Sequence, residues 1–356
     1  MVLLAGCSLT PTSNPAPSEP SSTPDASANA LSPQGSPIAG IGDFPTFPQE
    51  QLPEPAVESL QAALDGAVED GAFPGVSAAI IVGGSGSWSG ASGIDPEGKR
   101  LTPESRLLTA SVAKTVTAAE VLSLVEEGTI ELSDPITDHL PPKAVAAFDA
   151  NGATIRDVLG MRSGILDPPG YIQLVDSGAP TIEVLEAMVS PFAPAGSETS
   201  YANINFVLLG MVIEHVTGRS LWENLRSDVL RDSALDGLVY PVSDALAADG
   251  WRVESDAATL ARWGYELYGG FVLSDESLRE MTDFRGELYG LGTVDLTSED
   301  RGDFDVAAVG HGGIESPYLA LLAAFPETEV VVGIQVTGGV PEQVYQLVRA
   351  LTDAVT

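Results

Sequence analysis

The chain has 356 residues, enough for one large domain or two ordinary ones, and 44% of them are hydrophobic, which suffices for a substantial core. Against 16 basic residues it has 50 acidic ones, a formal charge of −34, so its surface repels phosphate backbones and anionic lipid headgroups and excludes a nucleic-acid partner. A single cysteine, Cys7, excludes an intramolecular disulfide and a cysteine-based metal site.

The first seven residues, "MVLLAGC", resemble the end of a bacterial lipoprotein signal peptide, in which a lipobox precedes the acylated cysteine. Their apolar part is shorter than the roughly 7–15 residues of a complete signal peptide, which indicates that the sequence begins inside the signal peptide or has been trimmed. We interpret residues 1–7 as a remnant of that peptide, with Cys7 as the lipidation site. An extracytoplasmic bacterial protein is therefore expected, which contacts the membrane only through this anchor.

Residues 8–53 are rich in Pro, Ser and Thr and show no hydrophobic period. Such a composition is typical of an unpacked linker, so this segment is predicted to be a disordered tether. The folded domain is expected to span residues 54–356. It opens with an amphipathic helix in "PAVESLQAALDGAVEDG", and the strand-like runs "GVSAAIIVGG" and "SWSGASGI" that follow predict a hairpin.

The next helix begins at "LLTASVAKTV" and carries Ser111, followed three residues later by Lys114, one of only three lysines in the chain. Residues i and i+3 share a helix face, so the two side chains can meet. A serine hydroxyl is a weak nucleophile until a neighbouring base takes its proton, and a lysine in apolar surroundings can be that base. On this motif alone, a solvated lysine on an ordinary helix remains the alternative.

A mostly helical stretch follows and contains Tyr201 and Asn203 in "ETSYANINFVLLG". Both lie where a loop enters an apolar helix, so both could face one cleft. There, a tyrosine can relay a proton and an asparagine can hold a substrate amide. A buried tyrosine and a helix-capping asparagine are the alternative, which this motif alone would favour.

The last part of the chain changes to strand-like runs and a closing helix. One run, "VAAVGHGGIESPYLALL", places His311 and Gly313 in a strand, where glycine lets a ligand or another backbone approach closely. Strands from both ends of the chain join most simply in one sheet. The sequence therefore predicts an α+β fold, with an antiparallel β-sheet flanked by the N- and C-terminal helices (about 54–105 and 285–356) and an inserted, mostly helical lobe (about 106–284).

The three motifs, Ser-x-x-Lys at Ser111, Tyr-x-Asn at Tyr201 and His-x-Gly at His311, resemble in order and spacing those of the penicillin-recognising serine hydrolases. These are the class C β-lactamases, the D-alanyl-D-alanine carboxypeptidases and related esterases. The resemblance covers about residues 55–356 and includes "IELSDPITDHLP" and "TIRDVLGMRSGI". It implies a β-lactamase/transpeptidase-like fold with no cofactor and no metal, and a small-molecule or peptidoglycan-derived substrate. We expect a monomer.

The resemblance also implies a role for each motif residue. Lys114 and Tyr201 would deprotonate Ser111, which attacks a carbonyl and forms an acyl-enzyme. The backbone N–H groups of Ser111 and Ile314 would form the oxyanion hole. Tyr201 would protonate the leaving group and assist the water that removes the acyl group. Three residues would bind the substrate: Asn203, His311 and Gly313.

One departure from the family pattern bears on the substrate. The family often has Thr where Gly312 stands, and its hydroxyl helps to bind the carboxylate of a β-lactam or of a terminal D-alanine. An arginine such as Arg162 or Arg252 could supply the missing group. The preferred interpretation is a D-alanyl-D-alanine carboxypeptidase-like peptidase. The alternatives are a class C-like β-lactamase, an esterase that acts on an uncharged ester or amide, and a non-catalytic cell-wall-binding module on the same fold.

Overall fold

Helices and strands occur throughout the part of the chain that the structure, a computed structural model, describes: residues 38–240, 245–285, 287–297 and 304–356. The helices are α1 (Glu54–Glu69), α2 (Lys114–Glu126), α3 (Pro142–Ala147), α4 (Ile155–Leu159), α5 (Tyr171–Asp176), α6 (Thr181–Glu186), α7 (Ile204–Thr217), α8 (Leu221–Ser227), α9 (Ala257–Tyr268), α10 (Asp275–Met281) and α11 (Pro341–Asp353). The strands are β1 (Gly75–Val82), β2 (Gly86–Gly93), β3 (Leu107–Leu108), β4 (Glu254–Ser255), β5 (Val294–Asp295), β6 (Val309–Glu315), β7 (Tyr318–Phe325) and β8 (Val330–Thr337).

Strands from both ends of the chain form one six-stranded antiparallel sheet in the order β2-β1-β8-β7-β6-β5. Strand β1 pairs with β2 on one side and with β8 on the other, so that Gly75 faces both Gly93 and Thr337. The nearly continuous apolar runs of β1 and β8 suit strands that are buried on both faces. The predicted α+β fold, with both chain ends in one antiparallel sheet, is confirmed.

Helices cover both faces of this sheet. On one face, α1 and α11 contribute Leu60 and Val348 to a buried apolar cluster with the strands. On the other face lies α9, where a methyl group added to Gly264 would be only 2.5 Å from the Leu322 side chain, so the glycine lets the helix approach closely. The assignment of residues 106–284 to the helical lobe is therefore wrong for α9, because periodicity reveals an apolar helix face but not what covers it.

The residues before α1 also belong to the folded part. Phe44 is 6% exposed, and the Gly42 N–H donates a hydrogen bond to the Tyr268 carbonyl at 2.9 Å. The prediction of an unpacked tether is thus wrong for residues 38–53. Their few apolar side chains pack beside α9, and composition alone cannot reveal such a long-range contact. Cys7 and the rest of the predicted tether lie outside the described residues.

The helical lobe is organised around α2 and α7, which are buried over most of their length. A helix that is apolar on nearly all sides belongs in a protein interior. Lys114 is the first residue of α2 and Asn203 directly precedes α7, and their side chains meet at the junction with the sheet. Within the described ranges, no helix is both long and apolar enough to cross a bilayer.

Candidate active site

Ser111 lies in a 3-10 turn directly before α2. Ala110 in the same turn has φ = 46°, a conformation that persists for an L-residue only when its surroundings enforce it. A methyl group added to Gly313 of β6 would lie 2.1 Å from the Thr109 carbonyl oxygen, and one added to Gly250 would lie 2.0 Å from the Ala110 carbonyl oxygen. The backbone that carries Ser111 is thus held between two segments that can approach because they lack side chains there.

Lys114 is completely buried at the start of α2. Its Nζ lies 3.0 Å from Ser111 Oγ, 2.9 Å from Asn203 Oδ1 and 2.5 Å from the Asp249 carbonyl oxygen. An ammonium group would donate to all three oxygens, whereas a neutral amine would donate to two and accept the Ser111 hydroxyl proton, so the three contacts suit either form. The contact predicted from the Ser-x-x-Lys spacing is present, and the alternative of a solvated lysine is wrong.

Tyr201 borders the same amine from the solvent side. Its ring centroid lies 5.2 Å from Lys114 Nζ, 5.9 Å from the Tyr289 ring and 6.2 Å from the His311 ring. The residue is 39% exposed, and its hydroxyl makes no hydrogen bond to any described residue. The alternative of a buried tyrosine is therefore wrong, because the residue reaches solvent beside the amine.

Asn203 lies beside the same Lys114 amine as Tyr201. Its Oδ1 accepts from Lys114, and its Nδ2 donates to Asp167 Oδ2 at 3.1 Å. The Ile204 N–H donates to Asp167 Oδ1 at 2.8 Å, so Asp167, and not Asn203, satisfies the start of α7. The sequence interpretation missed Asp167, because nothing in "LDPPGY" marks it as a neighbour of a residue 36 positions away.

His311 is buried in β6, which pairs with β5 on one side and β7 on the other. Burial lowers the pKa of the imidazole to about 3, and the nearby Lys114 charge acts in the same direction. The neutral ring donates from Nδ1 to the Gly312 carbonyl (2.6 Å) and accepts at Nε2 from the Tyr289 hydroxyl (3.0 Å). His311 therefore contributes shape and a hydrogen-bonding framework to the cleft, but no positive charge.

Both arginines considered as carboxylate-binding groups already face acidic side chains. Arg162 Nη1 lies 3.1 Å from Glu287 Oε1, and Arg252 Nη2 lies 3.5 Å from Asp176 Oδ1. Gly312 itself has room for a side chain, because the nearest atom to an added methyl group would be 4.0 Å away. The structure thus places the Arg162 and Arg252 guanidinium groups in ion pairs.

The sequence interpretation also missed Asp249, whose backbone carbonyl contacts Lys114, and Tyr171, which binds the Asp249 side chain. The Tyr171 hydroxyl donates to Asp249 Oδ2 at 2.7 Å, and the Trp251 N–H donates to Asp249 Oδ1 at 2.9 Å. Burial raises the pKa of the Asp249 carboxyl, against the opposing effect of the Lys114 charge. Among the residues that the structure describes, no cluster of three or more His, Cys, Asp or Glu side chains is arranged to hold a metal ion.

A model of the β-lactamase family matches residues 60–355, which is most of the chain. The chain belongs to the β-lactamase family. Its fold is that of the β-lactamase-related proteins, as the solved structures similar to it show.

Three similar proteins illustrate the range of this β-lactamase family member's relatives. Protein flp of Staphylococcus aureus (strain NCTC 8325) is 24% identical over 228 residues, which is 62% of this chain but only 43% of that protein. A D-stereospecific amidohydrolase from Streptomyces has a similar fold, with a TM-score of 0.65 and 23% identity over 84% of this chain and 99% of that one. An octameric penicillin-binding protein homologue from Pyrococcus abyssi also has a similar fold, with a TM-score of 0.66 and 22% identity over 83% of this chain and 77% of that one.

Proposed function

We propose that this β-lactamase family member hydrolyses amides or esters through an acyl-enzyme on Ser111. The observation that carries the proposal is the 3.0 Å contact between Ser111 Oγ and the amine of the buried Lys114. The neutral amine would accept the hydroxyl proton while Oγ attacks the substrate carbonyl carbon. The developing oxyanion would accept hydrogen bonds from the backbone N–H groups of Ser111 and Ile314, and each such donor is typically worth about 10²–10³ in rate.

Tyr201 is the group we assign to proton transfer at the leaving atom. Its ring centroid lies 5.2 Å from Lys114 Nζ, and the residue is exposed to solvent. As the C–N or C–O bond of the tetrahedral intermediate breaks, the proton taken from Ser111 passes through Lys114 and Tyr201 to the departing amine or alcohol. A water molecule then adds to the acyl carbon, gives its proton back through the same pair to Ser111 Oγ, and releases the acid. Asn203 and Gly313 would border the acyl group.

The charges around the cleft favour a substrate whose recognised end is uncharged or cationic. His311 is neutral and Arg252 faces Asp176, whereas the Asp167 carboxylate binds Asn203 beside Lys114. The Glu315 carboxyl group accepts a hydrogen bond from the Arg252 N–H. A similar fold belongs to a D-stereospecific amidohydrolase. We therefore infer that amides or esters of D-amino acids, with a free amine and no carboxylate, are the preferred substrate class.

D-Alanyl-D-alanine carboxypeptidase or β-lactamase action is the second candidate. Both reactions require recognition of a substrate carboxylate. The observation that favours them is Arg252, whose side chain is 56% exposed and lies 3.5 Å from its acidic partner. Because exposed ion pairs are weak, an entering carboxylate could compete for this guanidinium.

Two matched substrates separate these candidates. We would compare N-acyl-D-alanyl-D-alanine with the same peptide carrying a C-terminal carboxamide, and include D-phenylalanine amide, in the wild type and in Ser111→Ala. Chromatography of the products is expected to show turnover of the amides by the wild type alone. Faster cleavage of the free acid would instead establish the carboxypeptidase.

If none of these substrates is hydrolysed, covalent labelling can still test whether Ser111 is a nucleophile. The wild type and Ser111→Ala would each be mixed with a penicillin and with a fluorophosphonate, and their intact masses measured. An adduct on the wild type alone would support Ser111 as the nucleophile. Absence of any adduct would overturn the acyl-enzyme and leave the non-catalytic cell-wall-binding module.

Lipid anchoring at Cys7, an extracytoplasmic location and a monomeric state remain predictions from the sequence. The octameric homologue from Pyrococcus abyssi has a similar fold, so the fold does not determine the number of subunits. Light scattering coupled to size-exclusion chromatography would measure the mass in solution, and a mass near 36.9 kDa would support the monomer.

A further inference from the structure

The three oxygens that accept hydrogen bonds from Lys114 come from three distant parts of the chain. Ser111 belongs to the same turn as Lys114, but Asn203 is 89 positions away and Asp249 is 135 positions away. A buried amine keeps one orientation only if each acceptor is itself held in place. The residues that hold Asn203 and Asp249 in place are therefore expected to affect proton transfer as much as these two acceptors do.

Asp167 holds Asn203. Its carboxylate accepts from Asn203 Nδ2 at 3.1 Å and from the Ile204 N–H at 2.8 Å. Since a carboxylate only accepts hydrogen bonds, the amide nitrogen of Asn203 must face Asp167 and the amide oxygen must face Lys114. Asp167 thus fixes the orientation of the Asn203 side-chain amide, with the oxygen towards Lys114.

Tyr171 holds Asp249. Both side chains are 6% exposed, and the phenol donates to Asp249 Oδ2 at 2.7 Å. Burial and the Asp249 charge hold the pKa of the Tyr171 hydroxyl well above its usual value, so it remains the donor throughout the working pH range. With its carboxylate fixed at both oxygens, Asp249 presents its carbonyl oxygen to Lys114 Nζ at 2.5 Å.

Asp167 and Tyr171 lie only four residues apart, in "DPPGY". The two prolines restrict φ, and Gly170 has φ = 74° directly before α5, so the segment has few alternative conformations. We propose that Asp167 and Tyr171 are positioning residues that set the orientation of the Lys114 amine through Asn203 and Asp249. This proposal rests on the proposed function, in which Lys114 is the proton acceptor.

The charged and titratable groups around the Lys114 amine come from several elements. Tyr201, His311 and Asp249 lie nearest to it. The Asp167 charge also acts on the Asp249 carboxyl group, and the Asp249 charge in turn acts on Glu315. A variant that changes one of these groups is therefore expected to move the pH dependence of the reaction as well as its rate.

Direct observation of Lys114 tests the proposal without a substrate. The chain has only three lysines, and the other two, Lys99 and Lys143, are exposed. Carbon-13 labelling of the lysine ε-carbons should give three NMR signals, with that of Lys114 identified by its loss in Lys114→Met. We expect Tyr171→Phe and Asp167→Asn each to change the chemical shift of the Lys114 signal, because each variant releases one of the acceptors that surround the amine.

The matched control is Tyr265→Phe. Tyr265 is also buried and its hydroxyl also donates one hydrogen bond, at 2.7 Å to the Pro45 carbonyl, but on the α9 side of the sheet. This variant should leave the Lys114 signal unchanged. If Tyr171→Phe fails to fold, Asp249→Asn replaces it. Lys114 signals that match the wild type in folded variants at both Asp167 and the Tyr171–Asp249 pair would overturn the proposal.

Kinetics provide the second measurement. With an activated ester, kcat of Tyr171→Phe and Asp167→Asn should fall by at least about tenfold, while KM stays near the wild-type value, because positioning acts on the reacting groups. The acid limb of the pH–rate profile should move in these variants and not in Tyr265→Phe. A wild type that forms no acyl-enzyme would refute the proposed function alone, since the NMR signal of Lys114 decides the positioning role independently.

Discussion

Gly312 and Gly313 are neighbours in β6, yet a methyl group would meet very different surroundings at the two positions. At Gly313 it would lie 2.1 Å from the Thr109 carbonyl oxygen, whereas at Gly312 the nearest atom is 4.0 Å away. The contact at Gly313 involves backbone atoms on both sides, which cannot be relieved by a side-chain rotation. The packing of β6 against the Ser111 turn therefore depends on a single missing Cβ atom.

Gly313→Ala is expected to lower the acylation rate of Ser111 by about 10²-fold, because the added methyl group forces the Ser111 turn away from β6. The rate would be measured by intact mass spectrometry with an activated ester. Gly312→Ala is the control and should stay within about twofold of the wild type. Equal losses in both variants would show that the strand tolerates no side chain at either position, despite the 4.0 Å of clearance at Gly312.

At the scale of the element, α2 carries a second buried ionisable residue besides Lys114, namely Glu120. Glu120 is 2% exposed, and its burial, together with the nearby Asp228 charge, raises the pKa of its carboxyl group to about 8. Near neutral pH the folded state therefore binds a proton that the unfolded chain, with an ordinary glutamate pKa, has released. The stability due to this proton is fully present below about pH 4.5 and is lost as the pH rises towards 8.

Glu120→Gln should remove this pH dependence, because glutamine keeps the size of the side chain but does not titrate. For the wild type, the Glu120 contribution to the free energy of unfolding should fall by about 3 kcal/mol between roughly pH 5 and 8. Urea unfolding at both pH values measures the difference. An unchanged pH slope in Glu120→Gln would show that the carboxyl group is ionised in the folded state.

At the scale of the whole molecule, the described residues before α1 extend the folded part beyond the helix that opens the predicted domain. Phe44 packs against the Tyr265 ring at a centroid distance of 5.1 Å, and the Arg262 guanidinium lies 3.8 Å from the Phe47 ring centroid. These contacts join residues near the start of the chain to α9, which itself covers the sheet. Residues 38–53 are accordingly part of the domain.

Phe44→Ala is expected to lower the free energy of unfolding by about 3 kcal/mol, the usual cost of removing a buried aromatic side chain. Phe271 contacts the same tyrosine ring but is 45% exposed, so Phe271→Ala is the matched control with a smaller loss. Denaturant unfolding of both variants gives the comparison. Equal, small losses would indicate that residues 38–53 contribute little to stability.

Much of the fold and part of the site could be predicted from residue types and their spacing. The apolar runs of β1 and β8, the i, i+3 spacing of Ser111 and Lys114 and the order of the three motifs are local properties of the sequence. Local patterns predict elements and possible contacts, because helix and strand periods are set by the backbone itself. The shared sheet and the Ser111–Lys114 contact follow from them.

Only the tertiary structure decided the properties that depend on residues remote in sequence. The neutral state of His311 results from burial, and the pairing of Arg252 with Asp176 results from the position of α5. The roles of Asp167 and Tyr171 likewise arise from partners 36 and 78 positions away. Burial and distance set charge states and hydrogen-bond partners, and neither can be read from neighbouring residues along the chain.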